Sequence, residues 1–111
     1  MGVGSSAVET RQFIKRLVRH NCVVIFSTTT CPYCRIAKEM FTRLNVSVKV
    51  VELNEMREGQ YILRELRTIT QLTTVPQVFI NGVCIGGGVE TKQLFESGLL
   101  KQLTDECQSF R

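Results

Sequence analysis

One histidine, two prolines and no tryptophan occur among the 111 residues, and each scarcity narrows what the chain can be. A zinc site wants four ligands. Outside the Cys31/Cys34 pair the candidates are Cys22, Cys84, Cys107 and His20, and none of these forms a second close pair. No apolar run approaches the length that crosses a bilayer, and the first residues lack the basic-then-apolar layout of a secretory signal. No block of single-sign charge exists either. The formal net charge is +4, and the basic residues (Arg11, Lys15, Arg16, Arg19, then Arg35, Lys38, Arg43) lie scattered along helical stretches without interleaved aromatics. That is the pattern of a solvated helix face, not of a nucleic-acid surface. An even cysteine count is also missing: five cannot all pair within one chain. With no signal, this points to a reducing compartment in which thiols do chemistry, the cytoplasm first, with mitochondrial and nuclear forms left open.

What is present is an ordinary soluble composition, 43% hydrophobic and 22% charged, of a size for one domain over residues 1–111 with a flexible start at 1–6. Met1-Gly2-Val3-Gly4-Ser5-Ser6 fits the loose pattern for N-myristoylation, and a flexible polar start explains it equally well.

The organising stretch is Thr30-Cys31-Pro32-Tyr33-Cys34, preceded by Ile25-Phe26 and later joined by Thr74-Val75-Pro76. A β-branched run before the two cysteines and an amphipathic segment after them put the thiols where a strand hands over to a helix. Free amides at a helix start favour negative charge, so a sulfur there is stabilised as a thiolate, the nucleophilic form. Cys34 lies one helical turn on, near enough to close a disulfide with Cys31. Pro32 suits a first helical turn, where its missing N–H is not needed. A redox-active dithiol is the reading these residues favour over half a zinc site or two apolar fillers.

In chain order, Ser6 to Glu9 has capping-box spacing, and Phe13, Ile14, Leu17 and Val18 share a face of a helix over residues 7–20. Residues 22–26 form a β-branched strand covered on both faces. Ile36, Ala37, Met40, Phe41 and Leu44 mark a helix over 32–44, residues 46–53 a second strand, and 58–69 a third helix. Residues 78–80 and 83–85 flank Asn81-Gly82, a type I′ hairpin signal. Gly86-Gly87-Gly88 breaks the chain before a last helical region that Gly98 divides in two. The order predicts an α/β fold with a four-stranded mixed sheet and helices on both faces.

With these elements placed, Cys31-Pro32-Tyr33-Cys34, Thr74-Val75-Pro76, Phe79-Ile80-Asn81-Gly82, and Ile85-Gly86-Gly87 followed by an acidic residue and Thr91 resemble the dithiol glutaredoxin family. Their order and spacing match over roughly residues 7 to 107. The resemblance implies a thioredoxin fold with about five helices, and glutathione-dependent thiol–disulfide oxidoreduction of glutathionylated or disulfide-bonded proteins by a monomer. Cys31 would be the nucleophile and Cys34 the resolving thiol. Pro76 would be a cis-proline rather than an ordinary strand-start proline. Glutathione would lie along Thr28, Tyr33, Thr74, Val75, Pro76, Gly87, Val89, Glu90 and Thr91, pairing with the Val75 backbone like an added strand and placing its γ-glutamyl carboxylate on amides near Val89 to Thr91.

Three positions depart from the family pattern. Thr28 stands where members usually carry Lys, Leu63 where they carry Gln, and Glu90 where Asp is commoner. The first two remove polar contacts, so glutathione is expected to bind mainly through backbone groups and more weakly. The resemblance also implies a Cys22–Cys107 disulfide, as in a vertebrate subgroup, against two buried free thiols; Cys84 reads as a small apolar filler. An alternative function is a 2Fe–2S cluster bridging two protomers through Cys31 and glutathione, with no other metal ligand implied. A thioredoxin would usually carry a Trp just before its dithiol, and this chain has none.

Overall fold

The computed structural model describes residues 6–108. The expectations about residues 1–5, the myristoylation pattern included, lie outside the described residues. Ser6 is not part of a loose start: its hydroxyl caps the first helix, α1 (Ala7–His20), by accepting from the Glu9 amide at 3.0 Å. The remaining elements are β1 (Val23–Ser27), α2 (Pro32–Arg43), β2 (Lys49–Glu52), a 3-10 turn (Leu53–Glu55), α3 (Gly59–Thr70), β3 (Gln77–Ile80), β4 (Val83–Gly86), α4 (Gly88–Ser97) and α5 (Leu99–Gln108).

The four strands form one mixed sheet in the order β2-β1-β3-β4. β1 and β2 run parallel, as a strand–helix–strand crossover demands, and β3 is antiparallel to both β1 and β4. The hairpin turns at Asn81 and Gly82, with φ of 52° and 82°, the two positive angles that a type I′ turn requires.

Alternation along β1 divides the core. Val23 and Ile25 face a layer with Ala37, Met40 and Phe41 of α2, Leu100 and Cys107 of α5, and Val78 and Ile80 of β3. Val24 and Phe26 face the other layer, with Ile14 of α1, Ile62 and Leu66 of α3, Val51, Leu53 and Phe79. A continuous apolar strand therefore serves two covered faces, and the phenyl rings of Phe26 and Phe79 meet edge to face at 5.7 Å. Arg11 of α1 reaches the almost buried Glu65 of α3 at 2.9 Å and ties the second layer together.

Element ends differ from expectation in ways the packing explains. The first strand begins at Val23; the carbonyl of Cys22, just before it, accepts from the Asn81 amide at 2.8 Å, and the Cys22 sulfur forms a disulfide with Cys107 at the end of α5. The strand also extends to Ser27, which pairs with Glu52. The second strand is half its expected length. Val46 and Val48 pack against the core from outside the ladder, whose register on β1 starts only at the Val24–Lys49 pair. Leu53 leaves the strand for the 3-10 turn while remaining buried. Helix α2 starts at Pro32 as expected and ends one residue early, with Leu44 as its cap. Helix α3 is shifted by one residue, so that Thr70 closes it before Gln71 turns left-handed at φ 67°. Gln77 belongs to β3, one residue earlier than its apolar run suggests.

Candidate active site

The polar segment after β1 delivers Cys31 to the N-cap of α2, and Pro32 occupies the first helical position. The Cys31 sulfur accepts from the Cys34 amide at 3.3 Å, so a thiol takes the place of the usual capping oxygen. No acidic side chain stands in the first turn of α2, leaving the partial positive charge of its amides to that sulfur. On its other side, the Cys31 thiol lies 3.8 Å from the Val75 carbonyl. The Cys31 amide donates to the Thr28 carbonyl at 3.4 Å, and Asn54 of the 3-10 turn holds Thr29 through its amide (3.0 Å) and hydroxyl (2.7 Å). Loop and helix start are thus fixed from two directions.

Cys31 is partly exposed and Cys34 is completely buried, and both are free thiols. Burial pushes the Cys34 thiol above its ordinary value of 9.0, and the neighbouring Cys31 adds to this. Hydrogen bonds from the Ser27 side chain and the Thr28 backbone pull in the opposite direction. One thiol is therefore accessible at a helix start, while the other is held protonated beneath it.

A shallow groove of about 210 Å³ beside the dithiol is lined by Tyr33, Thr74, Val75, Pro76, Gly87, Gly88, Val89 and Glu90. The Val75–Pro76 bond is cis. Two distant segments meet here because Gly88 has no side chain: a Cβ at that position would stand 2.6 Å from the Tyr33 carbonyl oxygen. Glu90 reaches back to accept from the Gly87 amide at 2.7 Å, squaring the first turn of α4. Of the eight lining residues, Glu90 alone is charged.

The sequence-derived residues thus fall into three groups. Cys31, Cys34, Tyr33, Val75 and Pro76 come together at the dithiol, and Thr74, Gly87, Val89 and Glu90 extend the groove from it. Thr28 and Thr91 stand outside that lining: Thr28 is half-buried in the loop, and the buried Thr91 donates its hydroxyl to the Gly87 carbonyl at 2.8 Å. Leu63 packs against the second core layer. The sequence reading missed Ser27, Asn54, Thr70 and Gln77, all of which hold the site's loops. Gln77 alone carried a usable signal, as a polar residue between a proline and an apolar strand.

Comparison with known proteins decides the family. The glutaredoxin family model matches residues 23–85, which hold the dithiol, the cis-proline segment and all four strands up to Ile85. The chain belongs to the glutaredoxin family. Glutaredoxins are oxidoreductases that act on glutathione disulfides. Mitochondrial glutaredoxin-2 of Bos taurus is 40% identical over 105 residues, 95% of this chain and 67% of that protein. The Homo sapiens counterpart is 43% identical over 94 residues, 85% of this chain and 57% of that protein. The chain thus spans between about half and two thirds of the length of these curated relatives. The crystal structure of a buckwheat glutaredoxin–glutathione complex superposes with a TM-score of 0.89 at 32% identity, covering 95% of this chain and 96% of that one. These likenesses carry the thioredoxin-like glutaredoxin fold over nearly the whole chain.

Proposed function

We propose that this chain is a glutathione-dependent thiol–disulfide oxidoreductase working through Cys31 and Cys34. The observation that carries the reading is the N-cap sulfur of Cys31, taking the Cys34 amide and lying against the Val75 carbonyl at the end of an open groove. The likeness to a glutaredoxin crystallised with glutathione supports that ligand for the groove. Glutathione is a co-substrate here: its cysteine would lie along Val75, and its γ-glutamyl carboxylate on the first amides of α4, where Val89 and Glu90 stand.

The Cys31 thiolate attacks the glutathionyl sulfur of a mixed disulfide. A Cys31–glutathione disulfide forms, the old sulfur–sulfur bond breaks, and the substrate leaves as a thiolate that takes a proton from water. A second glutathione thiolate then attacks the glutathionyl sulfur, releasing glutathione disulfide and restoring the Cys31 thiolate. With protein disulfide substrates, the Cys31 thiolate first attacks one substrate sulfur, the substrate disulfide breaks, and its other sulfur leaves as a thiolate that takes a proton from water. Cys34 then attacks the Cys31 sulfur, breaking its bond to the substrate, and the Cys34 proton goes to the departing thiolate. Two glutathiones later reduce the resulting Cys31–Cys34 disulfide, leaving as glutathione disulfide. Substrates of this kind are glutathionylated or disulfide-bonded proteins, acted on by a monomer.

Cys31→Ser should abolish turnover of a glutathionylated peptide, while Cys34→Ser keeps it and loses only the reduction of protein disulfides. An active Cys31→Ser with a dead Cys34→Ser would reverse the roles. The same preparations test the cluster alternative: on anaerobic reconstitution with iron and sulfide we expect a colourless monomer, and a brown dimer would place Cys31 in a shared 2Fe–2S centre. For location, the names of the mammalian relatives favour the mitochondrion over the cytoplasm expected from cysteine usage; fractionation of the native protein tests this.

A further inference from the structure

The loop that brings Val75 and Pro76 to the dithiol is held from behind by one side chain. Gln77, the first residue of β3, is completely buried, yet every polar atom of its amide is used. Its Nε2 donates to the Leu72 carbonyl at 3.1 Å and to the Thr74 carbonyl at 3.2 Å. Its Oε1 accepts from the Thr70 hydroxyl at 2.8 Å. Thr70, the last residue of α3, accepts in turn from the Leu72 amide at 3.1 Å, and its hydroxyl also lies 2.9 Å from the Leu66 carbonyl. Among the described residues, Thr70 and Gln77 supply every hydrogen bond made by residues 72–74. Leu72, Thr73 and Thr74 are otherwise exposed.

The chemistry of this clamp is specific to an amide. Two carbonyls face the NH₂ group and a hydroxyl faces the oxygen, so the side chain cannot be flipped without setting acceptor against acceptor. A carboxylate of the same shape would oppose both carbonyls. A buried group that satisfies three partners in this way fixes the backbone it touches. The held backbone leads directly into Val75, whose carbonyl lies 3.8 Å from the Cys31 sulfur, while that sulfur is held at its own helix start by the Cys34 amide.

We infer that Gln77 is a positioning residue for substrate binding: through the Leu72 and Thr74 carbonyls it sets the backbone of Thr74 and Val75 on which the glutathionyl group is received. This rests on the functional reading above. Gln77→Glu should raise KM for a glutathionylated peptide about tenfold, the scale of one net hydrogen bond. Turnover number and the alkylation rate of Cys31 by iodoacetamide should stay at the parent values. Thr70→Val removes the hydroxyl without touching β3 and should raise KM in the same direction. Thr70→Ser, which restores the hydroxyl, should return it toward the parent. Unchanged KM in Gln77→Glu and Thr70→Val overturns the inference while the parent's activity stands. Alkylation of Cys31 slowed in step with KM also overturns it, since the defect would then lie at the dithiol. A parent chain that does not turn over the peptide overturns the functional reading, and this inference with it.

Discussion

Ser27 is a small residue in a position where one hydroxyl matters. It is completely buried at the end of β1, its oxygen 3.2 Å from the Thr28 carbonyl and in hydrogen-bonding contact with Cys34. A hydroxyl has a single hydrogen, so it can serve the Thr28 carbonyl while Cys34 is a thiol and must turn to the sulfur when that sulfur carries charge. The sign of the effect follows. Burial raises the Cys34 thiol and Ser27 lowers it, so Ser27→Ala should raise it further and leave less thiolate at any given pH. The rate of protein-disulfide reduction should then reach its plateau at higher pH than in the parent. Deglutathionylation, which in the proposed cycle uses Cys31 alone, should keep its profile. Coincident pH profiles for dithiol reduction in parent and variant would show that Ser27 does not act on Cys34. Cys84 is a contrasting case: burial first, and the nearby Glu90 charge in lesser measure, raise its thiol, and it stands outside the groove lining.

Between elements, the decisive contact is the meeting of two helix starts. The first turn of α4 approaches the first turn of α2 so closely that Gly88 lies against the Tyr33 carbonyl. This brings the α4 amides, with Glu90 bonded back to Gly87, to within one groove's width of the dithiol. Gly88→Ala would force the helices apart, because the opposing atom is backbone and cannot rotate away. Overpacking of this kind costs about 1–3 kcal/mol. We expect a lower urea midpoint with an unchanged slope, together with weaker glutathione binding in calorimetry. A variant with parental stability and affinity would show that the helix starts have room to spare. The sheet makes the same point in reverse: Val46 and Val48 alternate like strand residues, yet they pack against the core from outside the ladder, whose pairing begins at Val24 and Lys49.

Across the whole molecule, the disulfide and the dithiol sit at opposite ends of β1. Cys22 precedes the strand and bonds Cys107 of α5 across 85 residues of sequence, with the two Cα atoms 5.5 Å apart. Cys31 follows the other end of the strand. Closing so long a loop restricts the unfolded chain, and such a bridge typically stabilises by about 2–4 kcal/mol. Cys22→Ser/Cys107→Ser should therefore melt at a lower temperature than the parent, while Cys31 keeps its alkylation rate because its surroundings lie across the molecule. Equal melting temperatures for parent and double variant under non-reducing conditions would show that the bridge contributes nothing.

Much of this was legible in the residues alone. The β-branched run, the helical spacing of Ile36, Ala37, Met40 and Phe41, the Asn81-Gly82 turn and the placing of Cys31 before Pro32 depend on neighbours within one helical turn or one strand repeat, and each element formed where its spacing put it. Strand limits were less legible, since the length of β2 is set by a partner strand and not by its own alternation. What only the tertiary structure decided is the company each polar or sulfur atom keeps: Gln77 against the Leu72 and Thr74 carbonyls, Ser27 beneath Cys34, and, between the bridge that the family resemblance implied and two free thiols, Cys22 joined to Cys107. A side chain's local pattern fixes which way it faces, but hydrogen bonds and disulfides act over a few ångströms, and the groups that arrive within that range are chosen by how separate elements pack.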